Sequence, residues 1–184
     1  GMSNALLFLV MATIPGAIAG AVLEKQAETI FRNPLLIAAT LFVFGALLWV
    51  VDLRGRKTRS LENITLRDAL AIGCAQALAI VPGVSRSGIT ITAALARGID
   101  RASAARFSFL LSTPIICAAL LANAPALVSA GITVPFVVGV LSSAVSGYIA
   151  IFSLIRFVER ASYRVFFWYR AAIALLIVFF FFFV

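Results

Sequence analysis

The sequence predicts an all-α polytopic membrane protein with about five transmembrane helices and one re-entrant helix pair. Three observations predict it. Hydrophobic residues make up 63% of the chain and charged residues only 12%, with a mean hydropathy of +1.12. A soluble domain is nearer half apolar and a quarter charged. Long charge-free stretches recur along the chain, and the basic residues sit in short segments between them, as membrane flanks do.

That placement also disposes of the formal net charge of +8. In a soluble protein it would raise nucleic-acid binding; between apolar spans it reads as membrane flanking, and no nucleic-acid partner is expected. Cys74 and Cys117 lie in apolar stretches outside any CxxC spacing and read as small buried hydrophobes. The sequence has no histidine. The usual general base and the usual metal ligand are therefore missing from it. Gly1-Met2-Ser3 reads as a tag remnant before an initiator methionine. No basic segment precedes the first apolar stretch, so a cleaved signal peptide is not expected.

The spans follow in order. Asn4–Leu23 is free of charge, with Pro15-Gly16 in its middle. Pro34–Val51 is a second run, ending at Asp52. Ala104–Asn123 is a third, with Arg106 near one end and Pro114 inside. Gly131–Ile155 and Val165–Val184 complete the set, the last closing on a phenylalanine run that reads as lipid-facing bulk. Each is long enough for about 30 Å of hydrocarbon. Internal prolines imply kinks that neighbouring helices tolerate. Arg170, one to two turns into the last span, is expected to snorkel toward the membrane surface. On the fourth span, Gly139, Ser143 and Gly147 form a stripe of small residues, read as a helix-packing face.

Asp68–Ala96 is apolar but interrupted by Pro82-Gly83-Val84-Ser85-Arg86-Ser87-Gly88. Charge counting decides its path. Leu53–Arg67 holds five basic residues, the connection after the interrupted stretch holds Arg97, Arg101 and Arg106, and Ile155–Arg164 holds Arg156, Arg160 and Arg164. Glu24–Asn33 holds Lys25 and Arg32, and Ala124–Ala130 holds none. If the interrupted stretch returns to the side it entered, the three basic connections share a side, eleven charges against two. If it crosses, they do not. The positive-inside rule therefore predicts a re-entrant pair over about 68–96, with those connections in the cytoplasm. The whole chain, 1–184, reads as one membrane domain.

The interruption carries the chemistry. Pro82 is expected to end the first half-helix. Gly83 and Gly88 permit backbone conformations closed to other residues. Ser87 is the expected cap of the second half-helix, whose free amides favour an anion. Arg86 adds a planar fork suited to phosphate, and Ser85, Ser87, Thr90 and Thr92 add hydroxyls. A charged residue at that depth is costly without a partner. An anionic ligand would supply one, and broken helices meeting in a membrane are a known way to build a polar site. The bland reading has Arg86 neutralised by carbonyls or by an acid from elsewhere. Ser85 could act as a nucleophile, a donor to a phosphate oxygen or only a turn residue; without a nearby base, donor is favoured. Gln76 is either glue between helices or part of the polar pocket.

Ala75–Thr92, AQALAIVPGVSRSGITIT, resembles a signature of the bacterial undecaprenyl-diphosphate phosphatases of the bacitracin-resistance type. Phe107–Leu111 with Pro114, and Thr13-Ile14-Pro15, resemble flanking family spans. The resemblance implies an inverted-repeat fold, of which this chain is the C-terminal part. It implies removal of the terminal phosphate of undecaprenyl diphosphate, recycling a lipid carrier for cell-wall synthesis in the bacterial inner membrane, with access to the site from the periplasmic side. It makes Ser85 and Arg86 the candidate catalytic pair. Gly83, Ser87, Gly88, Thr90 and Gln76 become candidate substrate-binding residues. A divalent cation, Mg²⁺ or Ca²⁺, is implied by the family, but its carboxylate ligands are not found here and no metal ligand is assigned. The family's first repeat, with its glutamates and histidine, has no counterpart in the chain. The expectation is a half-site, weak or inactive alone, completed by an N-terminal segment or, less favoured, by a homodimer. The alternative function is a binder or transporter of polyprenyl phosphates that does not hydrolyse them.

Overall fold

In the computed structural model, residues 2–28, 33–125, 129 and 131–183 are described. Among them seven α-helices are found: α1 Met2–Glu28, α2 Pro34–Arg54, α3 Leu66–Gln76, α4 Arg86–Ala96, α5 Arg101–Ala122, α6 Val134–Arg160 and α7 Arg164–Phe183. The described residues contain no β-strand, only an isolated bridge between Arg59 and Ile99. Four helices are long and apolar enough to cross a membrane: Leu6–Leu23, Pro34–Arg54, Val134–Arg160 and Arg164–Phe183. The remaining expected span falls on α5, 22 residues of continuous helix. Parts of the two connections expected on the opposite side, 29–32, 126–128 and 130, lie outside the described residues.

Local chemistry sets the helix starts. Asn33 caps α2, accepting from the Leu35 amide at 2.9 Å, and Pro34 follows where no donor is needed. Thr65 and Asp68 form a reciprocal capping box on α3. Asp100 accepts from the Ser103 amide at 2.9 Å at the start of α5. Thr133 caps α6 through the Phe136 amide. Ser162 does the same for α7 through the Arg164 amide, at 3.1 Å.

α3 and α4 are 11 residues each, about 16 Å long and so half the hydrocarbon thickness. They form an antiparallel hairpin tied at both ends. At the base, Arg97 Nε meets Asp68 Oδ1 at 2.7 Å. At the tip, Arg86 Nε donates to Gln76 Oε1 at 3.1 Å. α1 crosses α3 so closely that a Cβ on Gly73 would lie 2.7 Å from the Ala12 Cα. The apolar core gathers there, with Ala12, Ala69, Ile72, Ile91, Leu95 and Leu111 buried together.

The three basic connections lie on one side of the fold, held by two buried carboxylates. Asp68 accepts from Arg59 at 2.5 Å and from Arg97. Asp52, at the end of α2, is gripped by Arg101 at 2.6 and 3.0 Å, and also accepts from Ser162 and the Tyr163 amide. Lys57 sits 3.3 Å from it. One acid thus ties the ends of α2, α5 and the α6–α7 turn. Charge counting had predicted this grouping.

Three expectations need correction. Helix α3 ends at Gln76, and a 3₁₀ segment, Ala77–Ile80, fills the distance to Pro82; Pro82 lies within the turn itself. Cys74 and Cys117 are exposed on the outer faces of their helices, not buried. The small-residue stripe of α6 packs on nothing described: a Cβ at Gly139 or Gly147 would meet no atom within 4 Å. The phenylalanines 179–183 are exposed, as expected of a lipid face.

Candidate functional site

The hairpin tip is wedged against α2. Gly83 has φ +87°, and a Cβ there would lie 2.7 Å from the Ile37 carbonyl and overlap the Thr40 hydroxyl. Only glycine fits both the angle and the space. Thr40 Oγ1 lies 2.6 Å from the Pro82 carbonyl and donates to it, pinning the turn to the helix behind.

Ser85, rather than Ser87, caps α4. Its Oγ accepts from the Gly88 amide at 3.2 Å, the reach from N-cap to N3 that a serine side chain makes. Sequence alone placed the cap two residues late because both serines suit the role. The backbone decides: Ser85 has φ 69° and leaves the helical region there. That left-handed conformation costs a non-glycine residue energy. It leaves Ser85 exposed at the mouth of the turn, with Ser87 exposed beside it.

Arg86 is the first helical residue of α4 and its side chain turns back to α3. Gln76 Oε1 accepts a hydrogen bond from its Nε–H. Two donors are left over: Gln76 Nε2 and Arg86 Nη2 are buried and have no partner among the described residues. Unpaired buried donors are expensive. α1 closes the other flank, where a Cβ on Gly16 would stand 2.6 Å from Gln76 Nε2. Among the described residues the two buried carboxylates are committed elsewhere, Asp52 to Arg101 and Lys57, Asp68 to Arg59 and Arg97. For Asp68, burial pushes the carboxyl up, but bonds from Arg59, the Thr65 amide and Arg97 outweigh it and hold it well below the usual carboxylate range.

Sequence reasoning missed Arg170. It does not snorkel; it is 3% exposed. From α7 it donates to the carbonyls of Leu41 (3.2 Å), Val84 (3.1 Å) and Gly83. Gly45 and Gly88 make room for it: a Cβ at Gly88 would lie 3.2 Å from Arg170 Nη1 and 3.2 Å from Ser85 Oγ. A second guanidinium therefore braces the turn from behind. The available signal was an arginine well inside an apolar span, a placement that marks a bundle-facing charge more often than an end-of-helix one.

Thr90 faces α5. Its hydroxyl lies 2.7 Å from Ser108 Oγ and donates among that atom and the Arg86 and Ser87 carbonyls. Thr92 is turned onto the Gly88 carbonyl at 2.7 Å. These two hydroxyls brace α4 rather than open on the turn. Gly83, Ser85, Arg86, Ser87, Gly88 and Gln76 are gathered at the tip, with Arg170 behind them. The tip is rich in donors and, among the described residues, carries no carboxylate, an arrangement that binds anions.

A match to the bacitracin resistance protein BacA family extends over residues 2–176. The chain belongs to this family. Within it, an undecaprenyl-diphosphatase of Moorella thermoacetica is 52% identical over 167 residues, covering 91% of this chain and 64% of the relative. Another, from Gemmatimonas aurantiaca, is 50% identical over 170 residues, and one from Pelotomaculum thermopropionicum 46% over 168. The chain spans 64% of the length of each of these BacA-family relatives. Among the described residues of this member, no three His, Cys, Asp or Glu side chains are grouped to hold a metal ion.

Proposed function

We propose that this chain carries the phosphate-gripping part of an undecaprenyl-diphosphate phosphatase of the bacterial inner membrane. The observation that carries the reading is the pair of buried, unpartnered donors, Gln76 Nε2 and Arg86 Nη2, beside the Ser85 turn. A diphosphate oxygen placed between them would satisfy both. The hairpin would enter the membrane from the cytoplasmic side, with the three basic connections remaining in the cytoplasm. The undecaprenyl tail would lie against the surrounding apolar helices.

In the reaction, water oxygen bonds to the terminal phosphorus while the bond to the bridging oxygen breaks. Inorganic phosphate leaves and undecaprenyl phosphate remains. Charge develops on the terminal and bridging oxygens, and donors aimed at those oxygens lower the barrier. Arg86 is suited to clamp them, with the Ser85 hydroxyl as a further donor. Gln76 orients Arg86 but, as an amide, takes no proton. The sequence has no histidine, and among the described residues no carboxylate stands at the tip, so activation of water is assigned to groups beyond these residues. The divalent cation implied by the family is treated the same way: the side chains present at the tip do not fit it, and no step is routed through it. An N-terminal segment contributing carboxylates completes this proposal better than a second copy of the chain.

The shared name of the relatives, undecaprenyl-diphosphatase, favours hydrolysis over carriage of an intact lipid phosphate. The test is phosphate release from undecaprenyl or farnesyl diphosphate by the purified 184-residue chain with Mg²⁺ or Ca²⁺. Binding with little turnover is expected. Turnover equal to that of a longer relative would show that the chain holds its own base.

A further inference from the structure

We propose that the cleft between the end of α2 and the α6–α7 turn is a binding site for the headgroup phosphate of an anionic phospholipid. The cleft has a volume of about 380 Å³ and is lined by Trp49, Leu53, Ala161, Ser162, Arg164 and Val165. It is separate from the hairpin tip: Thr40 touches the tip, and Trp49 is nine residues further along α2, about 13 Å away along the axis.

Its polar groups are unspent. Arg164 uses its backbone amide on Ser162, but its guanidinium has no ion pair or hydrogen bond among the described residues. Trp49 Nε1 is buried and has no acceptor, while its ring stacks on Phe167 at 5.0 Å. Of the acids at this end of the fold, Asp52 is already matched by Arg101 and Lys57, and Glu159 pairs with Arg106. The Ser162 hydroxyl is engaged with Asp52. What remains is a planar cation at a cleft walled by the Trp49 ring, whose buried indole N–H still lacks an acceptor, a pairing that suits a phosphate oxygen.

The surroundings favour a lipid as the source of that phosphate. Leu53 is 62% exposed and Val165 56% exposed at the rim, so the cleft opens onto an apolar surface that acyl chains would cover. It lies on the basic side of the fold, at the ends of two apolar spans, where tryptophans anchor at the membrane interface. Basic pockets between spans at that level hold anionic headgroups. The inference rests on the membrane placement of α2 and α7, not on the catalytic reading.

The test is native mass spectrometry of the detergent-purified chain titrated with phosphatidylglycerol or phosphatidylcholine of matched acyl chains. Phosphatidylglycerol should be retained at least about fivefold better, and Arg164→Gln should remove that preference. Arg164→Lys should keep part of it. Trp49→Phe, which keeps the ring and deletes the donor, should weaken it. Equal retention of the two lipids, or an Arg164→Gln protein that behaves as wild type, would overturn the proposal. So would an equal loss in Arg156→Gln, a basic residue outside the cleft, since the effect would then be bulk charge. Inorganic phosphate at millimolar concentration should not displace the lipid; displacement would show a site for free anions instead.

Discussion

Replacing Arg170 by methionine should loosen the turn without touching any residue that faces its mouth. The substitution keeps an unbranched chain of similar reach and removes the guanidinium. Three carbonyls, those of Leu41, Gly83 and Val84, then lose their donor in a buried setting. Each orphaned buried acceptor costs roughly 1–3 kcal/mol. Removing the desolvated charge itself returns part of that. A net loss of about 3 kcal/mol follows, which for a chain of this size lowers Tm by roughly 6–12 °C. The assay is thermal unfolding of detergent-purified protein, with maleimide labelling of a Ser85→Cys reporter to follow the turn, the exposed Cys74 and Cys117 being replaced by serine. Labelling should quicken in the Arg170→Met background. Arg170→Lys should fall between, because an ammonium cannot serve three carbonyls in a fixed fork. A Tm within about 1 °C of wild type together with unchanged labelling would refute the bracing role.

Further predictions follow from neighbouring contacts. Gly83→Ala forces a Cβ onto Thr40 and the Ile37 carbonyl at φ +87°, and should cost at least about 2 kcal/mol by the same thermal assay; a neutral result would mean that the turn does not seat on α2 as described. Acid should weaken the hairpin base. The folded Asp68 carboxyl is depressed, so its contribution is fully present above the unfolded value of about 3.9 and is lost as pH falls below it. Wild type should therefore lose stability below about pH 4 more steeply than Asp68→Asn, and parallel curves would contradict this.

The hairpin was legible in the sequence because two independent signals agreed. The Pro-Gly interruption divides a stretch too long for one half-span, and the basic residues on either side require a common face. The Asp68–Arg97 and Asp52–Arg101 pairs then make that face physical. The cap was legible only to within two residues. Ser85 and Ser87 are chemically equal, and the left-handed backbone at Ser85 follows from how Gly83 seats on α2, a tertiary fact. Arg170 was illegible for the same reason. Its partners are main-chain carbonyls distant in sequence, which leave no side-chain pattern. The exposed stripe on α6 shows the opposite failure: small residues at i, i+4, i+8 read as a packing face whether or not a neighbour is present in the chain.

The central claim is that the Ser85–Arg86 turn grips a lipid diphosphate. Its most direct measurement is the affinity of the purified chain for farnesyl or undecaprenyl diphosphate, in wild type and Arg86→Ala, by calorimetry in detergent. Arg86 is expected to contribute two charge-assisted bonds, each worth roughly 1.5–3 kcal/mol. Arg86→Ala should weaken binding at least about a hundredfold while the unfolding temperature changes little, because the relief of a buried charge without a counter-ion offsets the lost bond to Gln76. Affinity that survives the substitution would contradict the account at its base.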